Sequence, residues 1–341
     1  MKKSTLKDIS KRTNLSVSAI SKILSNAPDS FTSSAKKELV KKVAEELHYV
    51  PAFGSRLLNK RKTNTVGILM PMPAGVQGVH NWHFNEYIKT LIILCVYYLE
   101  QKEHSSYFSI FQSGTIDQAI DGLLYRGCES FIFLGKDTAD DVSIIRKKMA
   151  EQNTTYIGFG TELDRNVYSD SASGIQEILK FFIAQKRKNF RLLLLKPSGA
   201  LHKDRRHAGL ASVFPEVPLP QLVKKYVHYF KSGFTSSYDE MSSIGYDAVR
   251  ILFAKDPSVN AVMFFTDYYA FGGLKYFAEK QIIPGKDVLV AGFDNTFIAS
   301  HGVTPFTSCA QDTEKIAYSL TEHLFAAKPC SVPVKPLVFI R

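Results

Sequence analysis

Apolar positions along the chain repeat with two different periods, and the change falls near residue 63. Before it they recur at three- and four-residue steps. Leu6 and Ile9 open one stripe, Val17, Ile20 and Leu24 a second, and Leu39, Val43 and Leu47 a third, the spacing that puts side chains on one face of a helix. Thr5 is placed to cap a first helix over LKDISKRT, with Asp8 in its first turn. Asparagine tolerates the left-handed backbone better than most residues with a side chain, so Thr13-Asn14-Leu15 predicts a tight turn. Ser16 caps a second helix from Val17 to about Ser25, NAPDS is loop by composition, and Thr32 caps a third helix.

From Thr65 the texture changes to short apolar runs: TVGILMP, YFSIF, SFIFLG, TYIGFG, RLLLLK, AVMFF and VLVAGF, separated by amphipathic stretches. Strands alternating with helices predict parallel sheets covered on both faces. Several such units in about 275 residues predict an α/β body of two doubly wound lobes. Ligands then bind at the carboxyl ends of the strands, and the cleft between lobes is the natural pocket. PVKPLVFIR predicts a final strand, and the lack of a leucine-heptad tail after it favours a dimer.

Charge changes the picture only when it is located. Residues 1–62 hold 14 Lys/Arg against 5 Asp/Glu, whereas the remainder holds 29 against 27, so nearly all of the net +11 sits on the helical head. A basic module on a near-neutral body suits a polyanion partner. Ser16, Ser18, Ser21 and Ser25 stand off the apolar stripe of the second helix. Serine is a middling helix former, so that outer face is one that wants hydroxyls. Three short helices with a tight turn between the first two make an all-α helix-turn-helix head, whose second helix enters the major groove of DNA. Val17, Ser18 and Lys22 are then best placed at base edges, and Thr5, Ser16 and Ser21 at phosphates.

Other classes are disfavoured. The longest apolar run, LIILCVYYL at 91–99, is too short to span a membrane, and MKKSTLKDIS lacks the apolar core of a signal peptide. A cytoplasmic protein is expected. Cys95, Cys128, Cys309 and Cys330 form no CxxC pair, so no metal site or disulfide framework is indicated. GxSxG, HExxH, P-loop and GxGxxG motifs are missing, which argues against an enzyme and against a cofactor.

TLKDISKRTNLSVSAISKILSN, followed by the run from Thr32 to Tyr49-Val50-Pro51 and by AFGSRLLNK, resembles the DNA-binding domain of the LacI/GalR family of bacterial transcription regulators. The resemblance implies a helix-turn-helix domain over 1–50, a hinge helix over 51–63 that folds on the operator, and a two-lobed effector-binding and dimerisation domain over 64–341. Leu58 matches the leucine wedged into the minor groove, with Arg56 beside it, partial unstacking being offset by wrapping contacts. Lys22 stands where the family has an arginine, losing the bidentate grip on guanine. Ala52, Gly54 and Ser55 replace better hinge residues, so this hinge should depend strongly on bound operator.

The resemblance continues in the body. DRRHAGL at 204–210 is similar to the family's arginine-x-x-glycine signature and assigns Arg206 to the ligand; VLVAGFDNT assigns Asp294, FFTDYYAFGGLKYF puts Thr266 at the usual asparagine position, and HNWHFNEY at 80–87 puts His83 and Phe84 at two pocket-facing positions. An arginine fork, a carboxylate and aromatic faces suit a carbohydrate effector. Read without the family, Asp294 caps the following helix and Arg206 pairs with a carboxylate. Thr266, Gly160 and the aromatics Trp82, His83, Phe84 and Tyr268 point to a more stacked, less hydroxylated effector. The implied function is a repressor, a homodimer on a near-palindromic operator, controlled by a small molecule that favours one arrangement of two lobes of periplasmic-binding-protein type. The alternatives are a solute-binding protein of a sugar transporter and an effector-independent DNA-binding protein.

Overall fold

A computed structural model of the chain describes residues 5–24, 33–47, 49, 63–72, 86–112, 114–135, 139–196, 205–230, 237–326 and 328–341. Contacts divide it into two units, Met1–Thr63 and Asn64–Arg341.

In the first unit, α1 (Leu6–Thr13), α2 (Val17–Leu24) and α3 (Ser34–Glu46) surround Ile9, Ile20, Ile23, Val40, Val43 and Ala44. The Asp8 carboxylate accepts from the Thr5 N–H at 2.9 Å and the Thr5 hydroxyl at 2.7 Å, which fixes the start of α1. Asn14 has φ 55° and ψ 30°, the left-handed turn read from the sequence. The Ser10 hydroxyl donates to the Leu15 carbonyl at 2.6 Å and pins that turn from behind.

Three details differ from the periodicity reading. Val17 is 39% exposed, and the buried pair on α2 is Ile20 and Ile23; at 100° per residue Val17 lies roughly a quarter-turn from the middle of that pair. On α3 Leu39 is 45% exposed and Val40 is buried in its place, because steps of four drift by about 40° each and the stripe runs through 40, 43, 44 and 47. Ser33, in extended backbone, is the N-cap of α3; Thr32 lies outside the described residues.

The second unit holds two six-stranded sheets. The first runs β2 (Ser105–Phe111), β1 (Thr65–Pro71), β3 (Ser130–Leu134), β4 (Thr155–Phe159), β5 (Asn166–Ser169) and β11 (Ser331–Val334), every neighbour parallel. The second runs β7 (Val227–Tyr229), β6 (Phe190–Leu194), β8 (Ala261–Phe264), β9 (Leu289–Phe293), β10 (Thr307–Ala310) and β12 (Leu337–Phe339), with only β12 antiparallel. Each sheet reverses strand order beside its first strand, the doubly wound pattern that opens a crevice at the carboxyl ends. Helices Glu86–Gln101 and Thr313–His323 cover one face of the first sheet and Ile116–Tyr125 and Ala139–Glu151 the other. The second sheet lies between helices Tyr238–Lys255 and Asp267–Glu279 on one side and Ser171–Ala184, Arg205–Val213 and Leu219–Tyr226 on the other.

The chain passes between the lobes three times, at 169–171, 310–313 and 334–337. The last passage corrects the expectation of one final strand. Pro336 has no N–H for a ladder and a fixed φ, so the segment breaks there into β11 in one lobe and β12 in the other. The crossings are packed together: the Asp170 N–H donates to the Val334 carbonyl at 2.8 Å, and Lys335 meets Glu177 at 3.4 Å. A Cβ at Gly174 would collide with Cys309 Sγ and come within 2.9 Å of Pro336.

Candidate functional site

On the head, the outer face of α2 is left open by the core. Ser16 precedes the helix, and its Oγ accepts from the Ala19 N–H at 3.2 Å, the N-cap geometry. With that hydroxyl committed to the helix end, Ser16, Val17, Ser18 and Lys22 are all exposed and Ser21 half-buried, while Ile20 and Ile23 face inward. The face therefore mixes hydroxyls, one methyl pair and an ammonium, the groups that read groove edges and phosphates. Thr5 is exposed at the start of α1, its hydroxyl directed to Asp8. Lys7, Lys11, Arg12, Lys36, Lys41 and Lys42 surround these positions in sequence and are exposed. An ion pair within the head, Arg12–Glu46 at 3.5 Å, joins two half-exposed side chains and is worth little. Arg56 and Leu58 lie outside the described residues.

In the body, the ends of the strands bring together side chains that are far apart in sequence. Arg206, in the first turn of its helix, lays its guanidinium over Phe265 after β8, 3.6 Å from the ring centroid, and 5.1 Å from that of Phe293 at the end of β9. Aromatic faces thus support the Arg206 guanidinium. Asp294 follows Phe293 with φ 92°, and Asn295 continues at φ 46°. Two left-handed residues in succession are strain of the kind found at binding loops. Asp294 does not cap the next helix, whose N-cap is Thr296; its N–H donates to the Cys309 carbonyl at 2.7 Å.

Tyr87, from the first lobe, sits against this group and packs edge-on to Phe159 with centroids 6.4 Å apart. Burial pushes its hydroxyl pKa far up and the Asp294 charge adds to the rise, while a hydrogen bond with Gln311 and the Arg206 charge pull it back. The hydroxyl therefore stays protonated between an anion and a cation. Next to it, Arg205 stacks on Tyr168 of the first lobe at 3.3 Å, and burial lowers its pKa against the opposing influence of Tyr168 and Asp170. None of Tyr87, Phe159, Tyr168, Arg205 or Gln311 was among the residues singled out from the sequence. Phe159 and Tyr168 lie in the last two positions of strands, Gln311 follows one, and Tyr87 and Arg205 lie in the first turn of helices, which was the available signal.

Thr266 caps the helix Asp267–Glu279 through its backbone, and its Oγ1 is buried without a hydrogen-bond partner among the described residues. Ser169 Oγ and Gln311 Oε1 share that condition. All three stand at the carboxyl ends of strands. Buried polar atoms are nearly always partnered, and each one left without costs on the order of 1–3 kcal/mol, so this floor is built for hydrogen bonds from something in the cleft. Asp267 is spent on structure: its fully buried carboxylate accepts from the Thr296 N–H and the Ser308 hydroxyl, both at 2.7 Å. A Cβ at Gly292 would collide with that carboxylate, which is why the strand leading to Asp294 carries glycine there. Burial, with the Asp294 charge behind it, raises the Asp267 pKa to about 8. Tyr268 has one ring face stacked on Tyr238 and its hydroxyl on Glu86. Trp82, His83 and Phe84 lie outside the described residues.

Residues 179–333 match the model of the periplasmic binding protein-like domain. Over 318 residues the chain is 22% identical to the probable HTH-type transcriptional repressor ExuR of Bacillus subtilis (strain 168), covering 92% of this chain and 88% of that protein. Among solved structures, the lac repressor dimer bound to operator and the anti-inducer ONPF superposes with a TM-score of 0.76 at 16% identity, covering 100% and 98% of the two chains. A complex of the transcriptional regulator CelR with cellobiose superposes at 0.62 and 19% identity, covering 99% of each. At these identities the structural likeness is one of fold.

Proposed function

We infer the function of this chain from its place among the LacI/GalR-family transcription regulators: it is a sequence-specific DNA-binding repressor whose operator affinity is set by a small molecule held between two lobes. Residues 1–50 form the reading head, 51–63 the hinge, and 64–341 the effector-binding and dimerising body. The observation that carries this reading is the exposed hydroxyl-and-lysine face of α2 on a head holding nearly all of the net charge. Val17, Ser18 and Lys22 read base edges, and Thr5, Ser16 and Ser21 hold phosphates. Arg56 and Leu58 engage the minor groove from the hinge.

The effector is a carbohydrate or a sugar derivative. Support comes from the alternation of Arg206, Asp294, Thr266, Ser169 and Gln311 with the rings of Tyr87, Phe159 and Tyr168, a lining that offers hydrogen bonds to hydroxyls and flat faces to a ring's apolar side. The CelR–cellobiose complex is a precedent on the same fold. The sequence resemblance assigns His83 and Phe84 to the effector as well. Two heads must reach two half-sites, so the chain acts as a homodimer on a near-palindrome, in the cytoplasm and without enzymatic activity. No helix among the described residues is long and apolar enough to cross a membrane.

Selecting fragments of the source genome with the purified full-length chain, followed by footprinting, tests the reading. A near-palindromic protected site is expected. Recovery of random fragments would overturn it.

A further inference from the structure

Glu86 opens the helix Glu86–Gln101 of the first lobe, and Tyr268 is the second residue of the helix Asp267–Glu279 of the second. Across the cleft the Tyr268 hydroxyl donates to Glu86 Oε1 at 3.2 Å. Tyr268 is 7% exposed, and its ring lies on Tyr238 with centroids 4.1 Å apart and planes 14° from parallel. Tyr238 is the first residue of the long helix Tyr238–Lys255, whose N-cap Ser237 accepts from the Glu240 N–H. The tyrosine is therefore fixed by its own lobe, with its hydroxyl presented to the other. Glu86, by contrast, is exposed, so water competes for its carboxylate whenever the lobes part.

Besides the packed crossings, contacts between the lobes are made by groups in the proposed effector pocket, among them Tyr87 with Asp294, Arg206 and Gln311, and Arg205 with Tyr168 beside Ser169. The Tyr268–Glu86 bond uses none of them. We propose that Tyr238, Tyr268 and Glu86 form a latch that holds the two lobes closed through protein contacts alone and sets how far the closed arrangement is populated before any effector binds. Effector binding acts on an equilibrium that this bond has already biased. Burial and the neighbouring Tyr238 and Glu86 push the Tyr268 pKa above its ordinary value, so the hydroxyl is a donor throughout the neutral range. The proposal goes beyond the assigned function and needs neither operator nor effector to be true.

The test is a distance measurement between lobes in the full chain. Spin labels are placed at Lys147→Cys and Lys180→Cys, both exposed and one on each lobe, with Cys330→Ser to avoid stray labelling. Tyr268→Phe keeps the stacked ring and removes the hydroxyl; Glu86→Gln keeps an acceptor and removes its charge. A net hydrogen bond to a charged group corresponds to about tenfold or more in an equilibrium constant. Tyr268→Phe should therefore move the double-resonance distance distribution from a closed population toward a longer one by about that factor, and Glu86→Gln, which keeps a neutral acceptor, by a smaller one, with no small molecule added. Tyr246→Phe is the control, because the Tyr246 hydroxyl donates to Glu279 at 2.6 Å within one lobe; it should leave the distribution unchanged. Distributions for Tyr268→Phe and Glu86→Gln that match the unsubstituted chain overturn the latch, and so does an equal shift in Tyr246→Phe. Since no DNA is present, failure here leaves the operator experiment standing, and the reverse holds too.

Discussion

Asp267 shows how much chemistry one buried side chain can impose. With its pKa raised to about 8 in the folded chain and near 3.9 when unfolded, the native state holds an extra proton between those values. Stability should therefore fall as pH rises from about 4 to about 8 and level off above that. Melting curves across this range should show the decline, and Asp267→Asn should flatten it while keeping an acceptor for Thr296 or Ser308. Asp267→Ala leaves both donors unmatched and should cost on the order of 1–3 kcal/mol at neutral pH. On the head, Lys22→Ala should weaken binding to the selected operator by about 1–3 kcal/mol while changing binding to random DNA far less. Equal losses in the two titrations would take Lys22 out of base reading. Sequence motifs singled out Arg206 and Asp294, but not the reason for their settings: the aromatic bed for the arginine comes from Phe265 and Phe293, more than 50 positions away, and no glycine marks the left-handed backbone of Asp294 and Asn295. The glycine of the arginine-x-x-glycine run is of the same kind, since a Cβ at Gly209 would sit 2.6 Å from the Ala172 carbonyl, a helix contact that no local pattern announces.

At the scale of elements, local chemistry was the legible part. Thr5, Asn14 and Ser16 mark cap, turn and cap because each acts on backbone within a few residues of itself. Ser16→Ala should destabilise the head by about 0.5–2 kcal/mol through loss of the cap, seen as lower helix content at elevated temperature in the full chain. The stripes were less legible, since one apolar residue in four need not lie on the buried side: Val17 and Leu39 are exposed. For α2 that error has a physical sense, because an outward Val17 offers methyl groups to a partner. Long central strands were readable as apolar runs, whereas NVYS, VHY and TSCA (β5, β7 and β10) are short and partly polar and their strand character comes from a neighbouring ladder. Gly174 belongs to this scale as well. Gly174→Val should force apart the crossings near Cys309 and Pro336, lowering the melting temperature of the chain more than the same substitution at Gly122, where a Cβ would meet nothing within 4 Å.

For the whole molecule, charge and topology divide the labour. The head carries the cationic excess, so the salt dependence of DNA binding should be a property of residues 1–62: a chain lacking them should keep the thermal transition of the body and lose DNA binding at all salt concentrations tested. The body's two lobes were legible as alternating strands and helices, but the exchange of segments between them was not, because β11 finds its partner β5 more than a hundred residues back in the chain while β12, three residues on, joins the other sheet. The segment after Leu324 shows what that exchange means. It supplies β11 to the flank of β5 and β12 to the flank of β10, so a single strip of chain forms the outermost strand at one margin of each lobe. Removing 331–341 should accordingly strip both outer strands and bare the edges of β5 and β10, which recruit other chains, and light scattering should report sticky, self-associating protein where the intact chain stays dispersed.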